Sequence, residues 1–393
     1  MYPNSTQEDE LNDHLDICRH LYNRILDELK IEKRSMYAMT NQIPKWKKIN
    51  PELKKPYSKV LQMVNQQVFA NIKGLAISKR NGNRIGRLRY KTSINSMKTL
   101  NYNQSGFDIE ENHNRIRFSK IGWIRTIVHR SIPENGKIKG IIIKRTDTGK
   151  WFAIVQIEMD FEIFRKTGKD VGLDMGISSF VTDSDKTRVE YPNNIDKTLD
   201  KIKRLQCDLS GKKRCSNNYY RTKDKLRKVY ERLNDQRRDF LHKLSRYYIR
   251  NYDRIAVEDL NIAGMVQQKW SKSLNRHILD ASWKTFFDML DYKAERAGRK
   301  VIKVDPRGTS KRCYVCSEEV DKKLSDRLHS CPNCGFEADR DWNASLNIRH
   351  EMYIAYHQQD DDRSQGLASL PVEDNPLLVA ISAKEVVAGK IFC

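Results

Sequence analysis

The stretch that decides the fold runs Val171-Gly172-Leu173-Asp174-Met175-Gly176-Ile177-Ser178-Ser179-Phe180-Val181. It reads as an apolar strand interrupted by one carboxylate, which stands between two glycines. A carboxylate inside such a strand is costly unless it binds cations or hydrogen-bond donors. The flanking glycines let a phosphate or a second backbone come close. Two further segments hold acids equally rigidly. Arg254-Ile255-Ala256-Val257-Glu258-Asp259-Leu260 is a short buried-type strand ending in acids, and Asp339-Arg340-Asp341-Trp342-Asn343-Ala344 opens a helix that continues through Leu346 and Ile348.

Strands that carry acids and alternate with helices, in a basic protein, predict an RNase H-type fold whose carboxylates meet at the edge of a central sheet. Phosphodiester hydrolysis uses two divalent cations about 3.5–4 Å apart, one activating water and one stabilising the leaving oxygen. Magnesium takes hard oxygen ligands and keeps several waters, so three acids suffice. Asp174, Glu258 and Asp341 are the candidates. Asp339 rivals Asp341, Asp259 rivals Glu258, and Asp341 could instead cap its helix.

The last acid follows a cysteine pattern. Cys313-Tyr314-Val315-Cys316 and Cys331-Pro332-Asn333-Cys334 are separated by fourteen residues. Two CxxC turns can aim four thiolates at one zinc ion, each sulfur about 2.3 Å from it. A rigid metal knuckle feeding straight into the acidic segment suits zinc as a scaffold for the catalytic acid and not as the catalyst. Cys18 falls on an apolar helical face, and Cys207, Cys215 and Cys393 have no evident partner.

Composition narrows the partner. With 73 Lys plus Arg against 51 Asp plus Glu, the net charge of +22 favours polyanions, nucleic acid first among them. The 393 residues allow two or three domains. No run reaches about 18 apolar residues, and the start is polar, so neither a membrane span nor a secretory signal is visible and an intracellular setting is expected.

Along the chain, Ser5 with Glu8 makes a capping-box pattern ahead of Leu11, Leu15, Cys18, Leu21, Ile25 and Leu29, which share one helical face. A second helical stretch holds Val60, Leu61, Val64, Val68 and Ile72, with Lys59 and Gln62 on its other faces. It leads into Arg84, Arg87, Arg89, Tyr90 and Lys91, a basic and aromatic segment suited to phosphates and bases. From Thr99 to Asp160 the texture is of short β runs (Ile116–Phe118, Ile138–Ile143, Trp151–Ile157), which predicts a small β-domain or barrel with the helices inserted near its start. Residues 196–250 form a basic helical hairpin whose one-sided charge favours a phosphate track. Trp283 to Ala297 is an amphipathic helix, Val301–Val304 a strand, and the tail after Ile348 a flexible linker.

The segments Gly172-Leu173-Asp174-Met175-Gly176, Val257 through Met265, Thr309-Ser310-Lys311-Arg312-Cys313, and Cys331 through Ile348 resemble, in order and spacing, the OrfB/TnpB family of transposon-encoded proteins. Arg237-Arg238-Asp239-Phe240-Leu241-His242 matches the family's hairpin helix. The resemblance spans Tyr2 to Ile348 and implies an RNA-guided DNA endonuclease of α+β, multidomain build. Its parts would be a β-barrel (WED-like) with a helical REC insertion (1–167, about 8–95 helical), an RNase H-like (RuvC) α/β nuclease part (168–306), an inserted zinc ribbon (307–336), a final RuvC segment (337–352) and a C-terminal tail (353–393). It implies guide RNA and double-stranded target DNA as partners of a monomer in a prokaryotic cytoplasm, near the nucleoid. Magnesium would be held by Asp174, Glu258 and Asp341, and structural zinc by Cys313, Cys316, Cys331 and Cys334. By position, Lys59 and Gln62 would help read the motif beside the target, and Arg327 would approach the active site. Alternatives are a compact type V CRISPR effector and a non-catalytic nucleic-acid-binding or transposition accessory protein. Family members begin with a strand ahead of the Tyr-Pro-Asn segment, where this sequence has only Met1.

Overall fold

The computed structural model describes residues 1–93, 96–161, 163–176, 178–261, 282–323 and 326–361. By packing the chain forms two units: Met1–Ile163 with Pro192–Lys243, and Phe164–Tyr191 with the chain from Leu244 onward.

In the first unit, α1 (Ser5–Ile31) buries Leu11, Leu15, Cys18, Leu21 and Ile25, as their spacing predicts. The capping box lies one residue earlier than the Ser5/Glu8 pattern. Asn4 Oδ1 accepts the Gln7 N–H at 2.8 Å, and the Gln7 side chain accepts the Asn4 N–H at 3.2 Å. The Gln7 amide also donates to the Trp123 carbonyl, which ties the Asn4/Gln7 pair to the sheets. After α2 (Met36–Thr40), α3 (Ile43–Ile49) and a 3-10 turn, α4 (Ser58–Arg80) buries Val60, Leu61, Val64 and Val68. Helix ends at Arg80 and not near residue 95, because Asn81 is followed by Gly82 at φ +78, the left-handed conformation that stops a helix. Arg84, Arg87 and Arg89 are therefore on a loop.

Six strands follow: β1 (Thr99–Asn103), β2 (Phe107–Glu110), β3 (Arg115–Phe118), β4 (Gly122–Arg125), β5 (Lys137–Arg145) and β6 (Trp151–Glu158). Their ladders make two antiparallel sheets, β1-β5-β6 and β2-β3-β4. Leu100, Tyr102, Ile116, Phe118, Ile124, Ile141 and Ile143 join the helices in one core, each such side chain contributing about 1.5–3 kcal/mol. The sequence reading puts the basic hairpin, α5 (Asn193–Ser210) and α6 (Asn217–Asn251), with the 168–306 segment. By packing, its residues up to Lys243 group with the first unit, where Glu231 of α6 takes Thr148 Oγ1 at 2.9 Å and Lys150 at 3.0 Å.

The second unit is built on a five-stranded sheet in the order β11-β10-β7-β8-β9. β7 (Asp170–Met175), β8 (Val181–Asp183) and β9 (Arg188–Val189) meander antiparallel, while β10 (Arg254–Glu258) and β11 (Lys300–Val304) add on parallel to β7. α7 (Trp283–Ala297) buries Phe286, Phe287 and Leu290. A short hairpin of β12 (Leu328–Ser330) and β13 (Glu337–Asp339) leads into α8 (Arg340–Asp361), which lies on the sheet with Ile348 and Met352 against Ala256 and Val304. Gly172 makes that approach possible: a Cβ there would sit 2.2 Å from the Ser345 carbonyl oxygen and 2.6 Å from the Arg349 nitrogen. α8 passes residue 353, where the sequence reading begins the tail, because it remains anchored by Met352 and by Tyr353, whose hydroxyl donates to Asp170 at 3.1 Å. The rest of that tail, 362–393, lies outside the described residues. Among the described residues no helix is long and apolar enough to cross a membrane.

Candidate functional site

Asp174 sits on β7 opposite Thr182, partly buried. One residue before it, Leu173 pairs with Val257 in the parallel ladder to β10. Glu258, the next residue on that strand, therefore presents its side chain on the same face as Asp174. Among the described residues the Asp174 carboxylate takes no hydrogen bond, and its pKa is pushed well above the usual carboxylate range. Burial is the main cause, followed by the charges of Glu258 and Asp341. Arg340 opposes them and Asp339 adds to them.

Glu258 is 8 % exposed at the end of β10. Burial raises its pKa, opposed by a hydrogen bond that Thr309 Oγ1 donates to Oε1 at 2.6 Å. Asp341 is 7 % exposed in the first turn of α8 and pairs with Arg340 at 3.0 Å and Arg327 at 3.7 Å. Capping of α8 falls to Asp339, whose Oδ1 accepts the N–H groups of Asp341 at 2.9 Å and Trp342 at 3.1 Å. Asp341 is thereby left free of that role. Asp259, the rival of Glu258, is exposed, and its N–H extends the ladder to the Val304 carbonyl. The second unit thus gathers Asp174, Glu258, Asp341, Arg340 and Arg327.

The four CxxC sulfurs lie within 4.8 Å of one another, with Cys313 and Cys334 at 3.6 Å and Cys316 and Cys331 at 3.5 Å. Four sulfurs about 2.3 Å from one ion stand about 3.8 Å apart at tetrahedral corners. The cluster could therefore hold zinc. Backbone N–H groups of Cys334 and Asn333 bring the Cys331 thiol down to about 7, against the effect of burial. Among the described residues it is the group that could hold a single ion, and the three acids do not form such a cluster. The base of this knuckle is clamped by α8. Asn343 accepts the Tyr314 N–H at 3.1 Å and donates to the Arg312 carbonyl at 2.8 Å. Asn347 donates to the Thr309 and Arg312 carbonyls, both at 2.8 Å, and Glu351 pairs with Arg312 at 2.7 Å. Sequence reasoning assigned no role to Arg340, Asn343, Asn347 and Glu351, although Asn343, Asn347 and Glu351 recur at four-residue intervals along one helical face.

The remaining nucleic-acid candidates lie in the first unit. Lys59 and Gln62 are partly exposed on α4, and Arg84, Arg87 and Arg89 are exposed on the loop after it. Lys91 is tied down: its N–H donates to Asn23 Oδ1 at 2.8 Å, its ammonium reaches the Ser96 carbonyl at 2.9 Å, and it lies 4.9 Å over the Tyr22 ring. On α6, Arg237 is partly buried and Arg238 exposed.

Three family models match. The OrfB model described as "Probable transposase" covers 155–269, the Cas12f1-like TNB domain 283–348, and a helix-turn-helix domain of OrfB proteins 1–34. Within that last span the structure has the single helix α1. "Putative RNA-guided DNA endonuclease InsQ" of Escherichia coli is 32 % identical over 257 residues, covering 62 % of this chain and 63 % of that protein. The chain thus spans under two thirds of the InsQ length. A "Putative RNA-guided DNA endonuclease" of Streptomyces pristinaespiralis is 28 % identical, covering 88 % of this chain and 86 % of its own. "CRISPR-associated endodeoxyribonuclease Cas12f1" of Sulfoacidibacillus thermotolerans is 34 % identical over 134 residues, 32 % of this chain and 31 % of that one. Among solved structures, a chain of the Cas12f1-sgRNA-target DNA complex aligns with TM-score 0.54 at 11 % identity, over 88 % of this chain and 83 % of that one.

The fold is accordingly mixed α/β and multidomain, like that of the aligned chain in the Cas12f1-sgRNA-target DNA complex. The chain is thus similar to OrfB transposases over 155–269 and to the Cas12f1-like TNB domain over 283–348, and its relatives in Escherichia coli and Streptomyces pristinaespiralis are named putative RNA-guided DNA endonucleases.

Proposed function

We propose that this protein is an RNA-guided DNA endonuclease of the TnpB type, cutting target DNA at Asp174, Glu258 and Asp341 with magnesium. One observation carries the reading: Asp174 is a carboxylate without a hydrogen-bond partner among the described residues, in a strand interior, facing the charges of Glu258 and Asp341. Such an arrangement is unfavourable in the metal-free protein and becomes favourable when divalent cations neutralise it. The hard oxygen donors fit magnesium. Asp174, Glu258 and Asp341 would hold the ions, which would supply activation of the attacking water and stabilisation of the leaving oxygen. β7 and β10 hold two of the acids on one face, the start of α8 supplies the third, and Arg340 and Arg327 balance the charge of Asp341.

The mixed sheet of β7, β8, β9, β10 and β11, with acids carried on β7 and β10, supports a RuvC-like reading. The cysteine knuckle is read as a structural zinc ribbon and the two N-terminal sheets as the barrel. Guide RNA and double-stranded DNA are the partners that the +22 charge and the names of the relatives support. Arg84, Arg87, Arg89 and Arg238 are exposed contacts for them, and a prokaryotic cytoplasm is the expected setting. A compact CRISPR effector role is the second reading, favoured by the match to the Cas12f1-like TNB domain.

The test is to purify the protein with co-expressed transposon-end RNA and offer matching double-stranded DNA in magnesium. Guided cutting that disappears in Asp174→Ala is expected. No cutting, or cutting that survives Asp174→Ala, overturns the proposal. Sequencing the copurified RNA separates a transposon guide from a CRISPR guide.

A further inference from the structure

The chain returns to Glu258 at Thr309, 51 residues later. Beyond β11, Asp305 Oδ1 accepts the Arg307 N–H at 3.0 Å, Gly308 turns the chain at φ +77, and the Gly308 carbonyl accepts from Lys311 at 3.0 Å and Arg312 at 2.9 Å. This turn folds Thr309 back over the end of β10, where it is 1 % exposed. Its Oγ1 lies 2.6 Å from Glu258 Oε1 and 3.1 Å from the Pro306 carbonyl. A hydroxyl has one proton, and the shorter contact to the acid takes it. The Thr309 carbonyl in turn accepts from Asn347 Nδ2 at 2.8 Å. Glu258, Thr309 and Asn347 therefore form a buried chain from β10 to α8, the helix that begins at Asp341. Among the described residues Glu258 Oε2 takes no hydrogen bond, so one oxygen is fixed and the other is open to a cation.

We propose that Thr309 is a positioning residue of the acidic site, fixing the Glu258 carboxylate through its hydroxyl so that Oε2 serves as the cation ligand. This rests on the nuclease reading above. A purely structural threonine would need only its turn contact to Pro306, and its hydroxyl could be lost without any effect on cation affinity. A positioning hydroxyl must be felt there. Losing the hydrogen bond that orients a charged ligand is expected to weaken cation affinity about tenfold.

The experiment compares wild type, Thr309→Val and Thr309→Ser as full chains. Mn²⁺ binding to the RNA-free protein is followed by electron paramagnetic resonance, and guided cleavage is titrated with magnesium. Thr309→Val is expected to raise both the Mn²⁺ dissociation constant and the magnesium half-saturation about tenfold, and Thr309→Ser to restore both. Should Thr309→Val fail to fold, Thr309→Cys, a weaker donor of similar size, takes its place with a rise in the same direction. Wild-type cation affinity in the valine or cysteine variant overturns the proposal, and so does a serine variant as weak as the valine one. If the wild-type complex does not cut DNA, the nuclease reading fails, while Mn²⁺ binding still decides the role of Thr309.

Discussion

Gly172 on β7 meets Ser345 on α8 backbone to backbone, with the Ser345 carbonyl oxygen standing where a Cβ of residue 172 would lie. The contact sets the depth at which the helix beginning at Asp341 rests on the strand carrying Asp174. Both obstructing atoms, the Ser345 oxygen and the Arg349 nitrogen, are backbone, so neither can swing aside. Gly172→Ala is expected to cost on the order of 3 kcal/mol, read as a lower urea midpoint, and to reduce cleavage with it. An alanine variant of wild-type stability would mean that α8 has room to lift.

Asp339 and Asp341 have separable duties. Asparagine caps a helix as well as aspartate does, so Asp339→Asn should keep both the fold and most of the guided cleavage. Asp339→Ala should lose about 1 kcal/mol of stability. Asp341→Asn should remain folded and stop cutting. Comparable inactivation by Asp339→Asn and Asp341→Asn would make Asp339 a ligand.

A pH effect is expected in the first unit. His14 on α1 is 4 % exposed, its Nδ1 has no hydrogen-bond partner among the described residues, and burial lowers its pKa to about 4, with Asp13 opposing and Lys55 adding. The unfolded chain takes this proton near 6.5. Between those values the unfolded state binds more protons, so the stabilisation is present above pH 6.5 and is lost as pH falls towards 4, by roughly 3 kcal/mol. Amide protection of Leu15 and Cys18, compared at pH 7 and pH 4.5, measures it. His14→Met should remove that loss, and an unchanged slope in the variant would assign the acid sensitivity elsewhere.

The cysteine knuckle and the acidic site are mechanically joined through Arg312, Asn343 and Asn347. Wild-type protein should carry one zinc by atomic absorption. Cys331→Ser should release it and weaken cleavage by loosening the segment that holds Asp341. Full activity in a zinc-free variant would separate the two sites.

Much of this was legible in the sequence, for identifiable reasons. Asp174 stood out because an apolar strand rarely tolerates a lone acid. The cysteines stood out because CxxC spacing has few other uses, and the faces of α1 and α4 because apolar residues recur every three or four positions. What escaped were choices between near-equal neighbours and contacts between distant ones. Asn4/Gln7 and Ser5/Glu8 are both good capping pairs, and the Gln7 contact with Trp123 goes with the earlier one. Asp339 and Asp341 differ only in which carboxylate turns back on the helix. Thr309 reads as a turn residue, because its acidic partner lies on another strand.

Asp339 is at once the last residue of β13 and the cap of α8, so no slack separates the hairpin from the helix. With α8 seated at Gly172, the interval from Cys334 to Asp341 works as a ruler: adding one residue inside it moves each position about 100° around the helix and takes the acid out of reach of Asp174. The span between Cys316 and Cys331 meets no such gauge. Searches for distant relatives should hold the first interval constant and let the second vary, and anyone grafting a foreign metal knuckle onto this scaffold has the same single length to respect.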